Sequence, residues 1–206
     1  MSRTVWVGSV MAVVLMVAAA AEAGLLRDDP NAMSGWRGSR RFAASDSAYT
    51  MEVDVDFAVY APGDFGGSSD PSGGTEYLYA YEILNTVNSD SVSISSFTVG
   101  LEAMSQAGNI GIDGGPPGIP DGVTPTAQGI TGSSAVWSFL LDQVDYGEDS
   151  MTLIYTSPFA PQVLTGSVHD GGLSDKQSLP SPMPEPVTIA LLMLGGVGVV
   201  FSRRRR

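Results

Sequence analysis

The side chains of this chain that could do chemistry are carboxylates, and they fall into two groups. Glu52, Asp54 and Asp56 alternate with Val53 and Val55. As a strand they share one face, at about 6 to 7 Å between neighbours. Asp142, Asp145, Glu148 and Asp149 crowd a short segment between two apolar runs, with no Lys or Arg in that stretch to neutralise them. Calcium, a hard cation that takes about six to eight oxygen ligands, would relieve either group outside a cell. Neither has the EF-hand spacing, and Asp113-Gly114 and Asp121-Gly122 are ordinary turn pairs. The second group is the calcium candidate, and plain solvated surface is the alternative for both.

Catalysis finds less support. His169 is the single histidine, placed in Val168-His169-Asp170-Gly171 at the end of an apolar run. A Ser-His-Asp arrangement would need partners from elsewhere in the fold, and no Gly-x-Ser-x-Gly elbow accompanies it. A zinc site with one His and no Cys would have to be carboxylate-rich. Paired carboxylates could hydrolyse glycosides, but in a chain with 22 Asp and Glu such pairs discriminate nothing. Glycine-rich nucleotide loops are absent from the sequence. The expectation is a non-catalytic module without a cofactor, with an exported hydrolase acting on envelope polysaccharide or esters as the alternative.

The elements that must position these residues read as β. Met51, Val53, Val55, Phe57 and Val59 alternate with Glu52, Asp54, Asp56, Ala58 and Tyr60 before Pro62-Gly63 breaks the run. From Tyr77 to Asn85, tyrosines and Ile83 hold one face, while Leu78, Ala80 and Leu84 hold the other, the pattern of a central strand covered on both sides. Val92 and Ile94 have one parity, and Phe97, Val99 and Leu101 the other, which predicts an extra residue near Ser95-Ser96. Further strands are expected over Ala135–Leu141, Met151–Ser157 and Gln162–Val168. Strands at this spacing, with no amphipathic helix among them, predict an all-β fold over residues 24–169, an antiparallel β-sandwich of jelly-roll-like form. The Gly- and Pro-rich stretch from Gly108 to Ser134 reads as a surface loop, and residues 170–182 as a linker. Trp36, Trp137, Tyr60 and the second-strand tyrosines Tyr77, Tyr79 and Tyr81 would be either core or stacking surfaces for glycans.

Composition narrows the partners. The chain has 206 residues, no Cys and a formal net charge of −12, so burial rather than disulfides must hold the domain together. From Phe42 to Asp175 there is no Lys or Arg. Nucleic acid is thereby excluded as an expected partner, because a binding face needs cationic contacts to phosphates. Anionic polysaccharide would also be repelled unless divalent cations bridge.

Both ends read as addresses. Arg3, an apolar stretch from Val10 to Ala21 and the small-x-small site Ala21-Glu22-Ala23 form a secretory signal peptide over residues 1–23. Signal peptidase would then leave Gly24 as the first mature residue. At the other end, Pro184-Glu185-Pro186 is followed by the uncharged run Val187 to Phe201 and by Arg203, Arg204, Arg205 and Arg206. The prolines stiffen an extended strip. The apolar run reaches roughly 22 Å as a helix, short of a hydrocarbon core of about 30 Å, and the arginines favour a cytoplasmic end.

This arrangement over residues 183–206 resembles the PEP-CTERM sorting signal, in which a Pro-Glu-Pro motif, a transmembrane helix and a basic cluster follow in this order. Met183 stands where many members carry valine. The resemblance implies processing by an exosortase, a membrane enzyme of Gram-negative bacteria, and frequent association with exopolysaccharide. It also implies transient anchoring in the inner membrane with the ectodomain in the periplasm, then release to the cell surface or extracellular matrix.

Overall fold

The computed structural model of the protein describes residues 26–66, 70–85, 92–102, 107–113 and 122–184. After a 3-10 turn at Leu26–Asp28 come ten strands: β1 (Arg37–Ser45), β2 (Thr50–Tyr60), β3 (Tyr77–Leu84), β4 (Ser96–Gly100), β5 (Gly108–Asp113), β6 (Ala127–Ile130), β7 (Ser134–Ser138), β8 (Thr152–Ser157), β9 (Pro161–His169) and β10 (Ser174–Pro182). They pair antiparallel into two five-stranded sheets, in the orders β1-β2-β3-β8-β5 and β10-β9-β4-β7-β6.

The core lies between the sheets because each strand turns every second side chain inward. Met51, Val53, Val55, Phe57 and Val59 of β2 meet Phe97 and Val99 of β4, Trp137 of β7, Val168 of β9 and Leu179 of β10. Aromatic rings fill its centre. Tyr79 and Tyr155 stack at 5.0 Å, Phe97 and Trp137 at 5.8 Å, and the Trp137 Nε1–H donates to the Gly111 carbonyl at 3.2 Å. Truncating such a ring to alanine costs about 3–5 kcal/mol. Of the aromatic residues that could have stacked on glycans, Trp137, Tyr60, Tyr79 and Tyr81 are core, while Trp36 and Tyr77 are partly buried against it.

β3 is central and covered on both sides, as its pattern predicts. Its second face joins Ala58, Tyr60, Ile154, Leu26 and Ala32 in a smaller apolar cluster, with Phe65 packed against it. The segment before β1 and the loop after β2 thus cover the outside of the first sheet, and the Tyr60 hydroxyl donates to Asp29 at 2.7 Å.

The parity change before β4 is a bulge. Ser96 is the register partner of His169, and the Ser95 N–H also donates to the His169 carbonyl at 2.9 Å. Two residues thus face one. Ile94 instead bridges to Val144, and Val92, Ile94, Phe97, Val99 and Leu101 all reach the same core.

Three expectations are corrected. The Gly108 to Ser134 stretch contains β5 and β6 as well as loop, both of them edge strands that need less apolar surface than a central one. Residues 170–182 are a tight turn and β10, paired with β9 from Ser174↔His169 to Pro182↔Pro161, and not a linker. The domain accordingly runs beyond His169 to Pro182. Strand β1, which the sequence pattern did not single out, pairs with β2 from Arg37↔Ala58 to Ser45↔Thr50.

Candidate functional site

The sorting motif follows directly from the last strand. Pro180 and Pro182 can sit in β10 because it is an edge strand, where a missing N–H leaves no ladder bond unmade. Leu179 is buried against Gly166, where a Cβ would collide with it. The Tyr81 hydroxyl donates to the Pro180 carbonyl at 2.5 Å, and the Ser181 hydroxyl to the Gly100 carbonyl at 2.6 Å. The Met183 N–H then donates to the Ala160 carbonyl at 3.3 Å. Pro184, half-buried, is the last described residue. Glu185, Pro186, the apolar run and Arg203, Arg204, Arg205 and Arg206 lie outside the described residues, as do the signal-cleavage residues Ala21, Ala23 and Gly24.

The calcium candidates occupy the loop between β7 and β8 without converging. Asp145 and Glu148 close a turn on each other: the Glu148 N–H donates to the Asp145 carbonyl at 3.0 Å, and Glu148 Oε2 accepts from the Asp145 N–H at 3.1 Å. Gly147, at φ 90°, supplies the left-handed residue that this turn needs. Asp149 bridges to Leu84 at the end of β3, and Asp142 is exposed. Among the described residues, no three carboxylate or imidazole side chains are grouped so as to hold a metal ion.

The carboxylates of β2 are met by arginines that precede them in the chain. Arg41, the register partner of Asp54, donates from Nε and Nη2 to its two oxygens at 2.9 and 3.0 Å. Asp56 is fully buried, and no hydrogen bond from the described residues reaches either of its oxygens. Its charged neighbour is Arg27, with Nη1 at 3.6 Å. Burial raises the Asp56 carboxyl above the usual range, against the opposing pull of Ser39 and Arg27. Glu82, the register partner of Asp56 on β3, is pushed up to about 7, first by burial and then by the charges of Asp149 and Asp56. Asp149 is raised as well, by burial and by Asp56. The strand-face signal was present in the sequence, since Arg27, Arg37, Arg40 and Arg41 are the cations nearest to it. The grouping of Asp56, Glu82 and Asp149 was not, because it depends on register.

His169 ends β9 with its Nε2 at 3.1 Å from the Ser167 hydroxyl, which in turn lies 2.6 Å from that of Thr98. These groups lie along one sheet face, and among the described residues no carboxylate hydrogen-bonds the imidazole. At the same pole of the sandwich, Tyr49, Val92, Ser93, Gln143, Asp170 and Gly172 line a shallow cleft of about 350 Å³. Tyr49, one of the exposed large apolar residues, is part of it. The motif leaves from the opposite pole, beside Ala160 and Gly100. Comparison with family models, with curated proteins and with solved structures finds no match to the chain.

Proposed function

We propose that the protein is an exported cell-surface or extracellular-matrix protein, sorted and processed through a PEP-CTERM signal at its tail, with a non-catalytic structural or binding ectodomain. The carrying observation is the order Pro184-Glu185-Pro186, Val187 to Phe201, Arg203 to Arg206, placed directly after the last strand of a two-sheet domain. In this reading, signal peptidase cuts after Ala23 and the tail holds the domain at the inner membrane with the sandwich in the periplasm. An exosortase-type enzyme then cuts at or beside the motif and sends the domain to the surface or to exopolysaccharide. What supports the ectodomain reading is that the Ser167 hydroxyl is shared between His169 and Thr98 along one sheet face, and that Trp137, Tyr60, Tyr79 and Tyr81 serve as core.

The test is to tag the protein in its native host and map the termini of the mature form by mass spectrometry. A mature chain beginning at Gly24 and ending near Pro184 is expected, with Glu185→Ala slowing processing and leaving membrane insertion intact. A mature chain that keeps Arg206, with the Glu185→Ala form behaving identically, refutes the reading.

A further inference from the structure

Between Met183, whose N–H is bonded to Ala160, and Val187, where the apolar run starts, stand only Pro184, Glu185 and Pro186. As a lead between domain and tail, three residues in extended polyproline form would reach roughly 9 Å at about 3.1 Å each. A single helix with its side chains is about 10–12 Å across. With the tail in a bilayer, the pole of the sandwich therefore stands closer to the membrane than the thickness of one helix of any enzyme that must reach the motif. The residues that would lengthen the lead are held in place. Leu179, Pro180, Ser181 and Pro182 are all buried, Tyr81 and Ser181 fix the strand end through the Pro180 and Gly100 carbonyls, and Pro182 is in register with Pro161.

We propose that Tyr81, Ser181 and Met183 are positioning residues for tail processing: they hold the end of β10 against β9 and β4, and this end must peel away before the processing enzyme can seat the motif. The inference rests on the sorting reading given above. Its physical logic is that the end of this edge strand has a backbone ladder with β9 alone and carries two prolines. Its last residues, beyond Leu179, can thus open before the rest of the strand does. The clamp makes the rate of processing a report on the local stability of one strand end. A domain that has not closed would present a longer lead and be cut sooner.

Four full-length forms expressed in the native host test this, with the rate of tail loss followed by pulse-chase. Ser181→Ala removes the bond to Gly100 and is expected to speed tail loss about three- to tenfold. Gln162→Cys combined with Ser181→Cys, at register partners on β9 and β10, is expected to slow it when oxidised and, on reduction, to bring it to about the Ser181→Ala rate, since the hydroxyl bonded to Gly100 is gone. Insertion of a Gly-Ser linker of about ten residues between Met183 and Pro184 is expected to speed it and, combined with Ser181→Ala, to show no further gain. That loss of sensitivity separates positioning from general destabilisation, which would persist behind a linker. Equal rates in all four forms overturn the clamp while leaving sorting intact. Retention of Arg206 in the wild type and in the linker form alike overturns the sorting reading itself.

Discussion

The outer faces of the two sheets began from similar alternation and ended in different chemistry. On the first sheet, Leu26, Ala32 and Phe65 cover Ala58, Tyr60, Leu78, Ala80 and Ile154, and the cover also traps Asp56 and shields Glu82. On the second, Thr98, Ser167 and His169 share hydroxyl and imidazole contacts, and Val163 and Thr165 are exposed. An antiparallel sheet needs only one dry face. The second sheet stops there, whereas the segment before β1 gives the first a second dry face. The same segment makes ionisation on that face expensive, because a carboxylate under an apolar cover loses water without gaining enough partners.

The largest test of this contrast places one charge on each face. Ala80→Asp should cost about 4 kcal/mol in urea unfolding, since Ala80 is fully buried in the apolar cluster with Ala58, Leu78 and Ile154. Thr165→Asp, on the open face, should stay within about 0.5 kcal/mol. Equal losses would mean that the cover is loose.

The second test is pH. Glu82, with a folded value of about 7 against an ordinary 4.5, holds its proton over a range in which the unfolded chain has released it. Stability therefore falls as pH rises from 4.5 to about 7, by on the order of 2–3 kcal/mol, and levels off above. Asp56 and Asp149 are shifted in the same direction. Opposing them, Asp46, whose carboxylate accepts from the Ala48 and Tyr49 N–H groups, is lowered; its contribution is lost in acid. Melting between pH 3 and 8 should thus peak near pH 4, and Glu82→Gln should flatten the fall above it. A wild-type midpoint that rises steadily to pH 7 would contradict the covered-face account.

A smaller effect is expected from Asp56→Asn. At pH 8 it should gain about 1 kcal/mol by removing a buried charge that Ser39 and Arg27, the latter at 3.6 Å, offset only in part. The gain should vanish in acid, where the native carboxyl is already protonated. The smallest effect is calcium, which should move the melting midpoint by less than about 1 °C relative to chelator, because Glu148 is committed to the Asp145 N–H. A larger shift would show that the loop rearranges to collect Asp142 and Asp149.

What was legible in the sequence was the part of the fold written as alternation. β2 and β3 follow their patterns residue by residue, and the parity break at Ser95-Ser96 located a bulge because burying Ile94 and Phe97 in one core admits no other geometry. Strands whose burial comes from neighbours were hidden. β5 has Gly108 and Gly111 in its short length, and β10 has two prolines; each is held in place by the register of the strand beside it. The carboxylate arrangement was hidden for a related reason. Mutual repulsion among Glu52, Asp54 and Asp56 was evident, but Arg41 opposite Asp54 and Glu82 opposite Asp56 follow only from which strands pair and where.

Strand β10 also sets an order in time. It lies against β1 as well as β9, with the Ala43 N–H donating to Asp175 at 2.9 Å across 132 positions of chain, and Tyr81 reaches Pro180 across 99. Contacts of such long range close late and make folding slow. On the proposed export route, the chain could not form them until its final strand had cleared the pore, when the apolar tail would follow within a few residues. The sandwich would then complete itself while tethered, with its first and last strands meeting last.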